Sequence, residues 1–201
     1  MYIPKHFKGK NIEQAIEFIK RFSFGTLVSV LNGKPIATHL PFMVNYKEEK
    51  LILTTHFAKA NEQQNTLNQN LLIIFSEPHA YISPSFYNKK QNVPTWNYIA
   101  VHVYGNAKVI NKEADVLQML ESMILNYEES YKKQWDALNE QYKLKLTKGI
   151  IAINIEITDI QFKEKLSQNK QQNERENIIK NFANSNDTTE KLIAEYMNRP
   201  N

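Results

Sequence analysis

Residues 24–56 read FGTLVSVLNGKPIATHLPFMVNYKEEKLILTTH, and their spacing predicts three β-strands in succession. The first strand, residues 24–31, runs into Asn32-Gly33, a dipeptide typical of a type I′ turn because both residues tolerate positive φ. The return strand, residues 35–44, contains two prolines that cannot donate to a ladder, so it should lie at a sheet edge or be bulged. After a charged turn, the third strand covers residues 51–56. This order predicts an antiparallel meander.

Three more strands follow farther along the chain. Residues 71–75 form a continuous apolar run, residues 97–110 predict a strand with Gly105 at a bulge or close approach, and isoleucines alternate with polar residues over 151–157. The stretch from 77 to 95 is expected to be irregular but ordered, because it combines prolines with aromatic residues. The whole pattern predicts a mostly antiparallel β fold with inserted helices, a six-stranded closed or split β-barrel followed by C-terminal helices.

Helical periodicity interrupts and follows these strands. Residues 11–22 predict an amphipathic helix, residues 61–70 a short one, and residues 113–146 a helical insertion with one apolar stripe. The last helix should begin at Asp187, where Glu190 supplies a capping-box partner. The tail is therefore expected to be helical.

Length and composition set the domain organisation. The chain has 201 residues, which suits one domain with an appendage. The predicted domains are a barrel over residues 1–168, with the insertion at about 113–146, and a helical tail over residues 169–201. The net charge of +4 is too small to argue for a dedicated nucleic-acid surface.

Several kinds of chemistry are excluded by what the sequence lacks. Without cysteine there is no disulfide, thiolate zinc site, iron–sulfur cluster or cysteine nucleophile. The five histidines form no H-x-x-x-H pair, so no metal site is predicted. The sequence contains neither a G-x-S-x-G elbow nor a glycine-rich phosphate loop. No apolar run approaches the ~20 residues of a membrane span, and residues 1–10 lack the apolar core of a signal peptide, so a cytoplasmic protein is expected.

A polar group at the end of the third strand is a candidate anion site. It consists of Thr54, Thr55, His56, Lys59 and Asn61. Hydroxyl donors, one point charge and the amides of a helix start all favour a phosphate. The alternative is that the threonines are ordinary strand residues and the lysine is solvated.

A second group is rich in aromatic side chains. Residues 78–87 and 93–98 place tyrosines, a phenylalanine and a tryptophan beside hydroxyl and amide groups. Flat aromatic faces suit a planar heteroaromatic ligand, since stacking adds ~0.5–1.5 kcal/mol beyond burial. The alternative is a loop held on the barrel by its own aromatic residues, and composition leaves both readings open.

These motifs resemble those of the PaiB family, FMN-binding split-barrel proteins described as negative transcriptional regulators, within the pyridoxamine-phosphate-oxidase-like superfamily. The motifs occur in family order over about residues 1–170 and read MYIPKHF (1–7), ATHLPF (37–42), HFAKAN (56–61), PHAYISPS (78–85), VPTWNY (93–98), VHVYG (101–105) and KLSQN (165–169). Two positions depart from the family pattern. Glu62 stands where proline is usual, and Phe86 stands where tryptophan is common.

The resemblance implies a homodimer with FMN at the subunit interface. It places two residues, Thr38 and His39, on the strand beneath the flavin. It assigns the phosphate and ribityl chain to Thr54, Thr55, His56, Lys59 and Asn61. It also implies that three residues of the fifth strand approach the flavin, from the same subunit or from the partner subunit. These residues are Thr95, Trp96 and Asn97. Further contacts are implied for Ser83, Ser85, Lys165 and Gln168.

The function implied by the resemblance is a negative transcriptional regulator that uses FMN as ligand or sensor. Direct DNA contact is not evident, because the cations of the tail are interleaved with glutamates. An alternative is an FMN-dependent oxidoreductase or flavin reductase, since the cofactor itself carries the redox chemistry. A third reading is haem binding, for which His39, His56 and His102 are available.

Overall fold

The computed structural model describes residues 1–47, 50–89 and 91–199. Its strands are β1 (Phe24–Leu31), β2 (Lys34–Pro41), β3 (Met43–Lys47), β4 (Lys50–Ala58), β5 (Asn70–Ile82), β6 (Thr95–Val109) and β7 (Ile150–Lys165). Its α-helices are α1 (Ile12–Arg21), α2 (Glu113–Tyr127), α3 (Lys132–Ala137), α4 (Glu140–Thr147), α5 (Gln172–Ala183) and α6 (Thr188–Met197). The predicted fold class, mostly antiparallel β with inserted and C-terminal helices, is confirmed.

The strands form one sheet in the order β2-β1-β5-β6-β7-β4-β3. The β1–β2 hairpin is antiparallel from Phe24↔Pro41 to Leu31↔Lys34. Asn32 and Gly33 both have positive φ, 52° and 77°, as the type I′ turn requires. The predicted turn is therefore confirmed, and β2 lies at a sheet edge as its prolines indicated.

The described residues form seven strands rather than the predicted six, because one predicted strand is two strands in the structure. The return strand divides at Phe42: β2 pairs with β1, whereas β3 pairs with β4. The division follows from Pro41, which cannot donate to a ladder. β2 and β3 stand at opposite ends of the sheet order, yet Phe42 alone separates them. The sheet must therefore curl until its two ends approach each other, as in a barrel.

The chain forms two compact units. The terminal unit comprises Met1–Glu17, Phe75–His102 and Gln161–Asn201, and the barrel unit comprises Phe18–Ile74 and Val103–Ile160. The barrel unit contains segments of all seven strands, whereas the terminal unit contains the ends of β5, β6 and β7 together with α5 and α6. This division does not test a domain boundary after residue 168, which stays a prediction.

The core of the barrel unit is aliphatic. Leu27, Leu53, Ile73, Ile153 and Ile155 are fully buried. The alternating isoleucines of β7 confirm the predicted half-buried strand, because side chains of a strand point alternately to its two faces.

The helical insertion packs on this core through the predicted stripe. Val116, Met119 and Met123 of α2 are buried together with Met43 of β3. The predicted helical insertion consists of three α-helices, because the chain turns after α2 and again before α4. Asn139 caps α4 with a side-chain oxygen that accepts from the Gln141 amide at 2.8 Å.

The first part of the stretch predicted to be irregular, residues 77–82, is strand. β5 continues to Ile82 with a cis peptide bond before Pro78, and a 3-10 helix follows over Pro84–Phe86. The prediction was wrong for residues 77–82, because Pro78 in the sequence argues against a strand there. The described pairing of β5 with β1 involves residues 72–74, so Pro78 lies beyond it.

The C-terminal helices form in the terminal unit as expected. Asp187 caps α6 by accepting from the Thr189 amide at 2.7 Å. Phe182 of α5 is buried, as are Ile193 and Tyr196 of α6. Among the residues that the structure describes, no helix is both long and apolar enough to cross a membrane.

Candidate functional site

The predicted site residues divide between the two units, and each group is described by itself. The barrel unit contains Thr38, His39, Thr54, Thr55, His56, Lys59 and Asn61. The terminal unit contains Ser83, Ser85, Thr95, Trp96, Asn97, Lys165 and Gln168. Within the described ranges, no three histidine, aspartate or glutamate side chains come together in a way that could hold a metal ion.

The two threonines of β4 have different surroundings, because neighbouring residues of a strand point to opposite faces. Thr55 is fully buried and its hydroxyl donates to the Pro41 carbonyl at 2.6 Å. Thr54 donates to the Asn154 side-chain oxygen at 2.8 Å and lines a polar cavity of about 260 Å³. Thr55 therefore ties β4 to β2, whereas Thr54 faces a cavity.

Asn61 orders the segment after β4. Its side-chain oxygen accepts from the Gln63 amide at 2.9 Å, and its side-chain nitrogen donates to the Thr38 hydroxyl at 2.9 Å. The helix predicted over residues 61–70 is a single 3-10 helix, Glu62–Thr66. Asn61 therefore caps this helix and brings Thr38 of β2 to it.

A buried polar network fixes the same 3-10 helix on β1. The side-chain amide of Gln63 donates to the Leu27 carbonyl at 3.1 Å and to the Ser29 hydroxyl at 2.9 Å. The Thr66 hydroxyl also bonds to that of Ser29, at 2.7 Å. Sequence reasoning missed this network, since it joins residues more than thirty positions apart. It holds the end of β4 and its following turn in one geometry.

Lys59 supplies an available positive charge at this place. It lies exposed in the turn after β4, and its backbone amide donates to the Gly149 carbonyl at 2.9 Å. Its ammonium makes no hydrogen bond or ion pair with a residue that the structure describes. His39 is also exposed, and its ring stacks on Phe24 with centroids 6.4 Å apart.

A cavity of about 550 Å³ lies beside this turn in the barrel unit. Its strand wall includes Pro41, His56 and Ile150. Its helical wall consists of Leu120, Met123, Ile124, Tyr127, Glu128, Tyr131, Trp135 and Leu146. Ile150 directly follows Gly149, whose carbonyl accepts from the Lys59 backbone amide, so the backbone of this turn lies near the strand wall of the cavity. The volume is within the ~300–1,000 Å³ that is usual for ligand pockets.

His56 is the histidine in the wall of this cavity. Its Nδ1 atom is buried and has no hydrogen-bond partner among the described residues. Burial lowers the pKa of the His56 imidazole below its ordinary value of 6.5, so the ring is neutral at pH 7. A neutral imidazole can donate through one nitrogen and accept through the other.

In the terminal unit, the structure brings Lys165, Thr95 and Trp96 together. The Lys165 ammonium donates to the Thr95 hydroxyl and, at 2.8 Å, to the Trp96 carbonyl. Burial and, second, the charge of Lys163 lower the pKa of Lys165. The indole of Trp96 is 51% exposed and meets the Tyr81 ring edge-on at 5.8 Å. This leaves an aromatic face open to solvent.

The other predicted residues of this unit form hydrogen bonds within the protein. Asn97 is fully buried and its side-chain oxygen accepts from the Ser167 hydroxyl at 3.1 Å. The hydroxyls of Ser83 and Ser85 lie 2.8 Å apart. Gln168 donates to the Glu164 carbonyl at 2.6 Å.

The loop that contains the second predicted group is held by its own aromatic side chains. Phe86 meets Phe182 edge-on at 5.7 Å, and the Lys170 ammonium lies 3.8 Å from the centre of the Tyr87 ring. These contacts favour the structural reading for this part of the motif, whereas Trp96 remains accessible.

Comparison with known proteins gives the family. Residues 1–159 match the family model described as "Putative FMN-binding domain". The chain belongs to this FMN-binding-domain family. A relative from Bacillus subtilis (strain 168), named "Protease synthase and sporulation protein PAI 2", is 41% identical over 201 residues, covering 98% of this chain and 96% of that protein. The resemblance to the PaiB family is thereby confirmed.

More distant matches agree on the fold. An uncharacterized protein of Saccharomyces cerevisiae (YKL070W) is 30% identical over 154 residues, covering 64% of this chain and 90% of that protein. The flavocytochrome Anf3 from Azotobacter vinelandii has a TM-score of 0.63 at 14% identity, covering 81% of this chain and 72% of that one. The FAD and heme binding protein from Mycobacterium smegmatis has a TM-score of 0.59 at 13% identity, covering 79% and 73%. At such identities the likeness concerns the fold, and it confirms the split-barrel class.

For a member of the FMN-binding-domain family, the barrel-unit residues fit the cofactor in chemical type. FMN has a planar, largely apolar ring and a doubly charged phosphate. The cavity offers aromatic and aliphatic walls with the neutral His56, whose buried Nδ1 lacks a partner. Lys59 is an exposed cation whose backbone amide is bonded to Gly149, the residue before Ile150 of the cavity wall.

The sequence of this member of the FMN-binding-domain family did not predict that side chains of the helical insertion line a cavity. Ile124 and Tyr127 belong to the apolar stripe predicted within residues 113–146, and such a stripe indicates helix packing rather than a ligand site. The width of the stripe is the signal that could have separated packing residues from cavity residues. The stripe contains more apolar residues than the three that α2 buries. Tyr127 is 49% exposed although it lies on the apolar side.

Proposed function

We propose that this protein binds FMN and acts as a negative transcriptional regulator of PaiB type. One observation carries the proposal: a cavity of about 550 Å³ has aromatic side chains and a neutral histidine in its wall, and the exposed Lys59 is bonded through its backbone to Gly149, which directly precedes the cavity residue Ile150. Membership of an FMN-binding-domain family and 41% identity to the Bacillus subtilis PAI 2 protein support it. FMN supplies redox chemistry and a coloured reporter when it is bound.

In this proposal each barrel-unit residue has a defined role. Lys59 pairs with the phosphate, because a charged hydrogen bond is stronger than a neutral one. Thr38, held by Asn61, and Thr54 offer hydroxyls to the polyol chain, and His56 contacts the ring from the cavity wall. His39 lies on β2 beneath the flavin. Thr55 supports the site through its bond to Pro41.

The proposal includes a homodimer with the flavin at its interface. Thr95, Trp96 and Asn97 approach the cofactor from the second subunit, and Ser83, Ser85, Lys165 and Gln168 add contacts. The exposed Trp96 indole is the side chain best suited to stacking on a flavin.

Titration with FMN and with riboflavin tests the cofactor assignment. Lys59→Ala should weaken FMN binding by about 1–3 kcal/mol, roughly five- to 150-fold, because the phosphate loses its cation. The affinity for riboflavin, which has no phosphate, should not change. Lys20→Ala, which removes an equally exposed lysine of α1, is the matched control. If Lys59→Ala binds FMN as tightly as the unchanged protein, Lys59 is not in the site.

The regulatory role is tested in the cell and on DNA. Deleting the gene should raise specific transcripts, and unchanged transcripts would contradict a negative regulator. A gel shift with the promoters of those genes at physiological salt then separates direct from indirect repression. The salt concentration must be fixed, because non-specific contacts with DNA phosphates weaken steeply as the salt concentration rises.

The alternative function is an FMN-dependent oxidoreductase or flavin reductase. The apolar cavity wall favours it, since such a wall also suits a second, uncharged reactant. Anaerobic addition of NADH or NADPH should then bleach the bound flavin. Absence of bleaching with both donors counts against a reductase, and a haem absorption band in purified protein would support the third reading.

A further inference from the structure

The terminal unit contains a basic pocket of about 230 Å³. Its charged side chains within the described ranges are Lys8, Lys10, Arg175, Arg199 and the single carboxylate Glu164, and Gln14 of α1 also lines it. The cations therefore exceed the carboxylates. A concave site with an excess of positive charge attracts anions.

The N-terminal segment places two of these cations. The Gly9 amide donates to the Phe162 carbonyl of β7 at 2.9 Å, and a Cβ on Gly9 would lie 2.0 Å from the Phe162 ring. Glycine is thus needed for this close approach. Lys8 and Lys10 flank it, and both are exposed.

The guanidinium group of Arg175, in α5, has a donor available for a ligand. One terminal nitrogen donates to the Met197 carbonyl at 3.2 Å, which holds the guanidinium in place. Its Nε atom is buried and has no hydrogen-bond partner among the described residues. A buried donor without a partner is costly, and a guanidinium matches the oxygens of phosphate in geometry.

Gln14 lines the same pocket with an acceptor, whereas Arg175 offers a donor. Its Oε1 atom is buried and also lacks a partner among the described residues. A carbonyl oxygen can only accept, so the ligand should carry a donor as well as a negative charge. At pH 7 inorganic phosphate keeps at least one proton and so has a P–OH donor, a phosphate monoester can supply a donor from a hydroxyl of its alcohol part, and sulfate has no donor.

We infer that this basic pocket binds a small phosphorylated solute, either inorganic phosphate or a phosphate monoester, separately from the flavin. Arg175 and the two lysines hold the phosphoryl oxygens, and Gln14 accepts from the hydroxyl of the ligand. Glu164 limits the affinity, because its carboxylate opposes the bound anion. Of the residues proposed to contact the flavin, Gln168 also lines the pocket.

Calorimetric titration of the full chain with inorganic phosphate at fixed ionic strength tests the inference. Phosphate should saturate one site per chain, and sulfate should bind at least about tenfold more weakly. Lys10→Gln should weaken phosphate at least about fivefold. The matched control is Lys5→Gln, which changes the same charge in the same segment outside the pocket and should leave the affinity unchanged. Glu164→Gln should tighten binding, a result that a merely structural role would not produce.

Three outcomes would overturn the inference. The first is the absence of saturable phosphate binding, and the second is equal weakening by Lys10→Gln and Lys5→Gln. The third is displacement of phosphate by FMN, which would assign the pocket to the flavin phosphate. Phosphate binding that persists in saturating FMN and in Lys59→Ala supports a separate site, whether or not the proposed flavin site is correct. Comparison with glycerol 3-phosphate decides whether a monoester or the free anion is preferred.

Discussion

Two adjacent threonines of β4 show how the position of a residue on a strand decides its role. Thr55 is completely buried and bonds to the carbonyl of Pro41, next to the division between β2 and β3. Thr54 faces a cavity and bonds to Asn154 of β7. The sequence offers the same side chain twice, and the strand directs one to the core and the other to a cavity. Only one of them is therefore suited to contact a ligand.

The Thr55 hydroxyl should contribute measurably to stability. Thr55→Val preserves the shape of the side chain but removes the donor from the half-buried Pro41 carbonyl, so the free energy of unfolding should fall by about 0.5–1.5 kcal/mol. Urea unfolding measures the change. Thr55→Ser keeps the hydroxyl and is the control; a valine variant as stable as the unchanged protein would show that this bond contributes nothing.

His56 should make stability depend on pH. Burial lowers its pKa in the folded chain below 6.5, so the unfolded chain binds more protons near pH 6. Stability should therefore fall as pH decreases from 7.5 to 5.5, and the fall should be smaller in His56→Gln. NMR titration of the imidazole gives the direct check, and a midpoint at or above 6.5 would contradict the prediction.

At the scale of elements, Gly105 marks a close approach of β6 to β7. A Cβ at this position would lie 2.5 Å from the Glu156 carbonyl oxygen and 2.7 Å from a methyl carbon of Ile155. The residue has no side chain to displace, so the two strands can lie this close. The sequence predicted either a bulge or a close approach, and the geometry supports the second.

Gly105→Ala should destabilise the barrel unit. The added methyl must push two strands apart, and such overpacking costs about 1–3 kcal/mol. The matched control is Gly149→Ala, whose Cβ would meet its nearest atom, the Leu146 carbonyl oxygen, at 3.6 Å. Thermal unfolding should therefore shift for the first variant and much less for the second; equal shifts would argue against the close approach.

At the scale of the whole molecule, the proposed dimer should depend on exposed apolar side chains. Phe24 of β1 is 66% exposed and stacks on His39, a residue proposed to lie beneath the flavin at the interface. Sedimentation velocity should give twice the mass of one chain. Phe24→Glu should shift the protein toward monomer and weaken FMN, because a charge would be buried at the interface.

Tyr142→Glu provides the control for the dimer prediction. It introduces the same charge at a residue of α4 that is 52% exposed and outside the proposed interface. A monomer at all concentrations, with FMN affinity unaffected by Phe24→Glu, would contradict an interface that contains the flavin.

Local patterns were sufficient for much of the fold. The Asn32-Gly33 turn, the alternating isoleucines of β7, the stripe of α2 and the cap at Asp187 were all predicted correctly, because each depends on neighbouring residues. The division at Phe42 and the extension of β5 to Ile82 were not, since prolines obscure strands whose partners are distant in sequence.

By itself, the sequence determined the antiparallel class, the helical insertion, the family motifs and the residue types available to bind a phosphate. Only the tertiary structure decided which of those residues face a cavity and which are used in internal bonds such as Asn61–Thr38. It also decided which unpartnered atoms belong to residues that line one pocket, as those of Arg175 and Gln14 do. The physical reason is the range of the interactions. Backbone propensity, turns and caps act over a few residues, whereas burial and hydrogen-bond pairing join residues that lie a hundred or more positions apart.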